Sequence, residues 1–191
     1  MPDTAFIIAN GYKGHRDFHE LLGVDADATA MDGLFRYVVP GFDVVTLRDR
    51  SKQSVVTELQ SVVSKLEPGD RLWLYFAGHG HLIGREHALI FPEASRRDLE
   101  FFEGALPVSM IRRLTERPGV HRTLVLDCCR TSFFTGDRGG AGLKGSANLR
   151  DIAAAPLPRE AAGESFTIVM SCDEDTAAPE LPGGRGGLFT Q

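Results

Sequence analysis

Two apolar segments of the chain end at side chains that together could carry out nucleophilic catalysis. Residues 72–77 lead to His79, which has a glycine on either side, and residues 124–128 lead to Cys129. A cysteine thiol attacks a carbonyl carbon when a nearby imidazole takes its proton or stabilises its thiolate. The two residues lie 50 positions apart in the sequence, so only the fold can bring them together.

Strand patterns recur along the chain around these residues. Apolar runs predict five strands, at residues 4–9, 42–47, 71–76, 122–126 and 165–171. Because helix patterns alternate with them, the chain is predicted to be α/β, with a largely parallel central sheet and helices on both faces. Reactive groups of such sheets gather at the carboxyl ends of the strands, so His79 and Cys129 are expected at one edge.

The segments between the predicted strands carry helix signals. The first helix is expected to start at Asp27 or Thr29, either of which could be its N-cap. Two further helices are predicted, and they begin at Ser51 and at Pro107. Irregular structure is expected over residues 81–106, with residues 88–91 as a small hairpin arm.

The adjacent residues Cys128 and Cys129 have different expected roles. Side chains alternate along a strand, so only one thiol can face His79 and the other packs into the core. The backbone N–H groups near Gly80 and Cys129 could bind a developing oxyanion. One alternative to a catalytic role is that His79 is a loop histidine and Cys129 a core thiol. A second is that the two cysteines form a metal or redox pair, but the CxxC spacing of such pairs is absent. No metal site is predicted, at these cysteines or elsewhere.

The other histidines have no expected catalytic role. His81 is expected to make ordinary polar contacts. The remaining histidines are expected at the surface: His15, His19, His87 and His121.

The composition is that of an ordinary globular domain. The chain has 191 residues, 42% of them hydrophobic and 25% charged, with a net charge of −5, which predicts one domain over residues 1–191. The acidic balance argues against a nucleic-acid partner. Without an apolar stretch of about 18 residues or a signal peptide, no membrane partner is expected. Three cysteines suggest no disulfide framework, and reduced thiols fit the cytoplasm.

Two glycine-rich stretches interrupt the alternation of strands and helices. Residues 136–163 predict a long flexible linker, and residues 183–187 a second flexible stretch. The sequence ends at Gln191, where a further strand and helix would be expected. The C-terminal part of the fold is therefore expected to be missing or to lie on another chain.

The motifs at residues 75–80 (YFAGHG) and 127–130 (DCCR) resemble those of the caspase-like cysteine peptidases. The resemblance is closest to the metacaspases and their bacterial relatives, and paracaspases come next. At the place of the second motif, metacaspases have the pattern Asp-x-Cys. This pattern matches Asp127-Cys128-Cys129 and identifies Cys129 as the nucleophile. Further matches at residues 21–28, 171–180 and 187–190 extend the resemblance over most of the chain. It implies the three-layer caspase-like sandwich and a cysteine endopeptidase that acts through a thioester.

The resemblance also implies a substrate preference. In metacaspases and paracaspases, the aspartates that match Asp27 and Asp127 line the pocket for the residue before the cut bond. Two carboxylates in a confined pocket favour a basic side chain, above all arginine, so cleavage is expected after Arg or Lys. Asp173 could add negative charge at the rim, with loop solvation as the alternative. Ala77 departs from the pattern, since metacaspases usually have a serine there.

Basic residues in the flexible stretches are candidate self-cleavage sites for an enzyme of this specificity. They are Arg138, Lys144, Arg150, Arg159 and Arg185. One such cut would remove a blocking loop and activate the enzyme. The equally weighted alternative is that these side chains are solvated loop charges.

A His/Cys mechanism requires no cofactor, and none is expected. Many metacaspases bind calcium through acidic residues that follow the histidine. Residues 84–87 and 92–95 poorly match the six to eight oxygens that calcium takes, so calcium is an alternative that the sequence disfavours. The expected partners are a protein or peptide substrate and, as in bacterial relatives, a regulatory protein or a fused sensor domain.

Two functions from other classes are weaker alternatives. A non-catalytic interaction module with the caspase fold would not need both His79 and Cys129, which this chain retains. A nucleotide-binding domain would carry a GxGxxG or Walker-type loop after its first strand, and this chain has neither.

Overall fold

The computed structural model of the chain describes residues 3–84, 86–128 and 165–171. These ranges contain eight strands and three α-helices. In chain order they are β1 (Asp3–Ala9), α1 (Val24–Gly33), β2 (Phe42–Arg48), α2 (Lys52–Val63), β3 (Arg71–Gly78), β4 (Gly80–Ile83), β5 (Glu86–Ile90), β6 (Ala105–Pro107), α3 (Val108–Leu114), β7 (His121–Cys128) and β8 (Ser165–Met170). None of the helices in these ranges combines the length and apolar character needed to cross a membrane.

Five of the strands form one parallel sheet in the order β2-β1-β3-β7-β8. The five strand predictions are confirmed, with bounds that agree to within two residues. β3 and β7 lie side by side, and Ala77 pairs with Asp127 and Gly78 with Cys128. The carboxyl ends of these two strands, after which His79 and Cys129 follow in the sequence, therefore meet at one edge of the sheet.

Helices cover both faces of this sheet. Side chains alternate between the two faces along each strand, so each strand contributes residues to both helix layers. One face packs against α2 and α3, and its strand residues include Leu74, Phe76 and Leu126. The other face packs against α1, and its strand residues include Tyr75 and Val125. This arrangement confirms the predicted layering of helices on either side of a mostly parallel sheet.

A small second sheet departs from the prediction of irregular structure over residues 81–106. β4, β5 and β6 pair antiparallel in that order. The predicted hairpin arm at residues 88–91 overlaps β5, which is the middle strand of this sheet. Because β3 ends at Gly78 and β4 begins at Gly80, His79 is the single residue that links β3 of the large sheet to β4 of the small one.

The start of α1 also differs from the prediction. The helix begins at Val24 after the N-cap residue Gly23, so neither Asp27 nor Thr29 is its N-cap. The helix starts earlier because Val24 and Ala28, one turn apart, both pack against the sheet. Asp27 is thereby buried within the helix, with 3% of its surface exposed, and its carboxylate is not used to cap the helix.

The starts of the other two helices agree with the prediction. The Ser51 hydroxyl caps α2 by accepting a hydrogen bond from the backbone N–H three residues later, at 3.3 Å. α3 begins directly after Pro107. Val55, Leu59 and Val63 of α2 recur every four residues and are buried against the sheet.

Candidate active site

The backbone of His79 is held on both sides by hydrogen bonds. Its N–H donates to the hydroxyl of Tyr12 at 3.1 Å, and its carbonyl accepts from the N–H of Ile90 at 2.9 Å. The Tyr12 hydroxyl in turn donates to the carbonyl of Ile90 at 2.6 Å, and the Asn10 amide donates to the same carbonyl at 3.1 Å. The histidine between the two sheets is thus fixed by residues that follow β1 and by the end of β5.

The imidazole of His79 is oriented by a main-chain oxygen. Its Nε2 lies 2.9 Å from the carbonyl oxygen of His19. A carbonyl oxygen only accepts hydrogen bonds, so Nε2 must carry the proton of the neutral ring and Nδ1 must carry the lone pair. Nδ1 is therefore the atom that can accept a proton from a nucleophile.

Aromatic rings surround this imidazole and make it a neutral base. The rings of Tyr12, Phe18 and His19 have centroids 4.5, 5.6 and 4.4 Å from that of His79. Burial lowers the pKa of His79 to about 4, and repulsion from the positive forms of His19 and His15 contributes to the shift. At neutral pH the ring is therefore uncharged and ready to take a proton.

The glycine before His79 has a steric reason. A Cβ atom on Gly78 would lie 2.8 Å from the ring of Phe76 and 3.1 Å from the hydroxyl of Tyr12. A side chain there would displace the hydroxyl that holds the histidine backbone. Gly80 begins β4, where it is buried and pairs with Leu89.

Cys128 lies where strand alternation predicted it. It pairs with Gly78, is 3% exposed, and packs into the core on the face covered by α2 and α3. The prediction that Cys128 is a core thiol is confirmed. Cys129, the predicted nucleophile, lies outside the described residues.

The other face of β7 carries one member of an acidic pair, which consists of Asp27 and Asp127. Asp127 is 8% exposed and Asp27, on α1, is 3% exposed. The hydroxyl of Tyr75 donates a hydrogen bond to Oδ2 of Asp127 at 3.0 Å. Burial raises the pKa of Asp127 and the charge of Asp27 raises it further, while the hydroxyls of Ser171 and Tyr75 oppose the rise. The pair concentrates negative charge beside the strand end that leads to Cys129.

The remaining residues predicted for the site lie outside the described ranges. They are Asp173, Arg138, Lys144, Arg150, Arg159 and Arg185. In the described part of the chain, no three His, Cys, Asp or Glu side chains form a group that could hold a metal ion.

Three residues of the site were not found from the sequence. Tyr12 and Tyr75 carry no local signal of their partners, and His19, which was predicted to be a surface residue, contributes a backbone oxygen as well as its ring. The prediction that His87 lies at the surface is wrong, because it sits on β5 with only 2% exposed. Its strand belongs to the small sheet that the sequence did not reveal.

The sequence matches the family model of the caspase domain over residues 3–191. The chain belongs to the caspase-domain family. This match confirms the resemblance drawn from the histidine and cysteine motifs, and membership of this peptidase family supports a cysteine protease type of function. A protease family implies protein substrates. No protein with a curated function matches the sequence.

Two solved structures are similar to this caspase-domain chain in fold. Protein GSU0716 from Geobacter sulfurreducens superposes with a TM-score of 0.65 at 17% identity, over 99% of this chain and 79% of the other. Caspase-1 from Spodoptera frugiperda superposes with a TM-score of 0.65 at 16% identity, over 99% of this chain and 66% of the other. The chain thus spans just under two thirds of the insect caspase chain. The similarity confirms the predicted caspase-like fold.

Proposed function

We propose that this chain is a cysteine endopeptidase that cleaves proteins or peptides after Arg or Lys. The observation that carries the proposal is the position of Asp127 at the end of β7, the strand that pairs with β3 immediately before His79, together with the buried Asp27 of α1 whose charge acts on it. Cleavage after a basic residue requires a neutral, oriented base and carboxylates close to it that can bind the basic side chain.

The proposed nucleophile is Cys129. It is the next residue after Cys128, so the peptide bond ties it to the strand end beside His79. The side chain of Cys128 is committed to the core, which leaves Cys129 as the thiol of these two adjacent cysteines that is available for chemistry. The burial of Cys128 thus supports Cys129 as the nucleophile independently of the family motif.

The proposed reaction has two steps. Nδ1 of His79 takes the thiol proton of Cys129, and the sulfur attacks the carbonyl carbon of the substrate while backbone N–H groups of Gly80 and Cys129 stabilise the oxyanion. The imidazolium then protonates the leaving amine, and a thioester remains. Water, deprotonated by His79, hydrolyses the thioester, releases the carboxylic acid product and restores the thiol.

The acidic pair supports the preference for basic residues through its own unfavourable electrostatics. Two buried carboxylates repel each other and have lost much of their hydration. A guanidinium or ammonium group would relieve both costs at once, and arginine can bind carboxylates through two parallel hydrogen bonds. An acidic side chain would instead add a third negative charge.

We propose further that the enzyme acts in the cytoplasm, where its thiols stay reduced, and that it activates itself. Self-cleavage would occur at one of the basic residues in the sequence segments outside the described ranges. The Cys129→Ala variant should then remain intact after purification while the wild type is cut. Continued cleavage in that variant would exclude self-processing. A regulatory protein or a fused sensor domain is the alternative trigger.

Fluorogenic peptides test the proposed activity directly. Peptides that end in Arg, Lys or Asp before the reporter amine are assayed with calcium and with a chelator, and Cys129→Ala is the inactive control. We expect the Arg peptide to be hydrolysed at least about 100-fold faster than the Asp peptide, as for a charge pair worth several kcal/mol. Equal or faster hydrolysis of the Asp peptide would refute the specificity. Absence of hydrolysis of all three would refute the peptidase and favour an interaction module.

Replacing Tyr12 with phenylalanine should slow the chemical step. The change keeps the ring against His79 but removes the hydroxyl that bridges His79 and Ile90. We expect kcat to fall roughly tenfold with KM unchanged, because a shift of the base by a fraction of an ångström lengthens the proton transfer. Steady-state kinetics with the Arg peptide measure this. Tyr37→Phe, on a tyrosine that is 85% exposed, is the matched control, and equal kcat values in the two variants would contradict the role of Tyr12.

A further inference from the structure

Tyr75 of β3 has a buried side chain whose hydroxyl contacts Asp127 of the acidic pair. It is 1% exposed and packs with Ile7, Ala77 and Val125 on the α1 face. Its hydroxyl donates to Oδ2 of Asp127 at 3.0 Å. A phenylalanine would fill the same apolar space, so packing alone does not explain the hydroxyl.

The register of the strands explains how this contact arises. Tyr75 pairs with Val125 and Ala77 pairs with Asp127, so Tyr75 lies one pleat before Asp127 on the same face. On the side of Asp127 toward the sheet centre, the residues in register are Ala77 and then Ala9, which present only methyl groups. Tyr75 is thus the residue of β3 that offers Asp127 a hydrogen-bond donor on this face.

We propose that Tyr75 is a specificity-determining residue that positions the Asp127 carboxylate for the basic side chain of the substrate. The inference rests on the proposed function and deepens it, because it names a residue behind the pocket that acts through Asp127. Tyr75 does not touch the reacting atoms and is a positioning residue. The hydrogen bond restrains the rotation of the carboxylate, so that a guanidinium meets a group already in place.

The same hydrogen bond favours the charged form of Asp127. Among the residues that the structure describes, the groups that face this carboxyl from the elements packed against it are Tyr75 from β3, Asp27 from α1 and Ser171 after β8. Burial and the charge of Asp27 raise the pKa of Asp127, and the two hydroxyls lower it. The pKa of Tyr75 itself is raised by burial and by the charge of Asp127, so its hydroxyl stays protonated and remains a donor.

The test compares Tyr75→Phe with Tyr37→Phe, since each removes one hydroxyl and leaves a ring. We expect KM for the Arg peptide to rise about three- to tenfold in Tyr75→Phe, the worth of one hydrogen bond, with kcat within about twofold of wild type. The acid limb of kcat/KM should move to higher pH, because losing the donor raises the pKa of Asp127 further. Tyr37→Phe should show neither change.

Two further measurements keep the inference falsifiable. Tyr75→Phe introduced into Asp127→Ala, which leaves no side-chain acceptor at position 127, should have no further effect on KM if Tyr75 acts through the carboxylate. Benzamidine, a small planar cation, should bind Tyr75→Phe more weakly than wild type by the same factor as the change in KM. Tyr75→Met, which keeps the apolar volume, replaces Tyr75→Phe if the latter does not fold.

The outcomes separate this inference from the proposed function. Wild type that cleaves the Arg peptide, with a Tyr75→Phe variant of unchanged KM and acid limb, would overturn the role of Tyr75 alone. Wild type that neither cleaves the Arg peptide nor binds benzamidine would overturn both. A fall in kcat without a rise in KM would show a general structural effect and would also overturn the inference.

Discussion

Replacing His79 with alanine is expected to lower kcat for hydrolysis after Arg by roughly 10²- to 10⁴-fold, the range for the loss of a positioned general base. The imidazole is neutral at pH 7 and its Nδ1 is the free acceptor, so no proton has to be removed before the reaction begins. KM should change little, because the acidic pair is untouched. Steady-state kinetics with the Arg peptide, with active-site titration to count competent enzyme, measure the effect.

The control for this variant is His121→Ala. His121 is an exposed histidine at the start of β7, at the opposite end of the strand, and its loss should leave kcat within about twofold. A further check uses the wild type. A base with a pKa of about 4 becomes protonated only below that pH, so kcat should be lost as the pH falls through about 4. Retention of more than about a tenth of kcat in His79→Ala would mean that another group is the base.

Replacing Asp127 with asparagine should remove most of the preference for basic residues. The substitution keeps the size of the side chain and removes its charge, and a buried charge pair that loses one partner costs about 2–5 kcal/mol. We therefore expect kcat/KM for the Arg peptide to fall by roughly 30-fold or more. Asp27→Asn should act in the same direction, because both carboxylates are buried in the acidic pair.

The matched control is Asp25→Asn. Asp25 lies on the same helix as Asp27, but its side chain is 84% exposed and pairs with Arg48, so kcat/KM should stay within about twofold. Unchanged hydrolysis of the Arg peptide in both Asp27→Asn and Asp127→Asn would disprove the role of the acidic pair. Loss of activity in Asp25→Asn of equal size would point to the helix rather than to the pocket.

Stability distinguishes a binding role of Asp127 from a structural one. The pKa of Asp127 is raised in the folded protein, chiefly by burial, so its ionised form destabilises the fold relative to the unfolded chain. That cost is absent below the ordinary pKa of an aspartate and is present once the pH exceeds the raised value. Asp127→Asn should therefore raise the melting temperature at pH 7 while it lowers activity, which is the behaviour of a residue kept for function.

The sequence predicted the parts of this molecule that depend on local pattern. Strand positions follow from apolar runs, and the burial of Cys128 follows from alternation along β7. The contacts that orient His79 come from far along the chain, since Tyr12 lies 67 positions away and His19 lies 60. No periodicity records which backbone oxygen will meet a given side chain after folding, so these contacts could not be predicted.

The start of α1 shows a second limit. Asp27 has the residue type of an N-cap, and the sequence left that role open as the alternative to a place in the substrate pocket. Tertiary packing of Val24 and Ala28 decided the outcome instead. The preference of aspartate for the N-cap position thus does not hold at Asp27. Asp27 is a residue of the candidate site, where a buried charge conflicts with what stability of the fold alone would favour.

The oxygen that orients the imidazole of His79 belongs to the main chain, and so no codon encodes it separately. Missense changes at position 19 leave a carbonyl in place whatever side chain they bring. The segment that presents it, residues 11–21, is closed by a bond from the N–H of Leu21 to the carbonyl of Gly11 at 2.9 Å. A lost or gained residue in this segment would move the oxygen. The hydrogen bond to the imidazole therefore tolerates substitutions in this segment but not insertions or deletions.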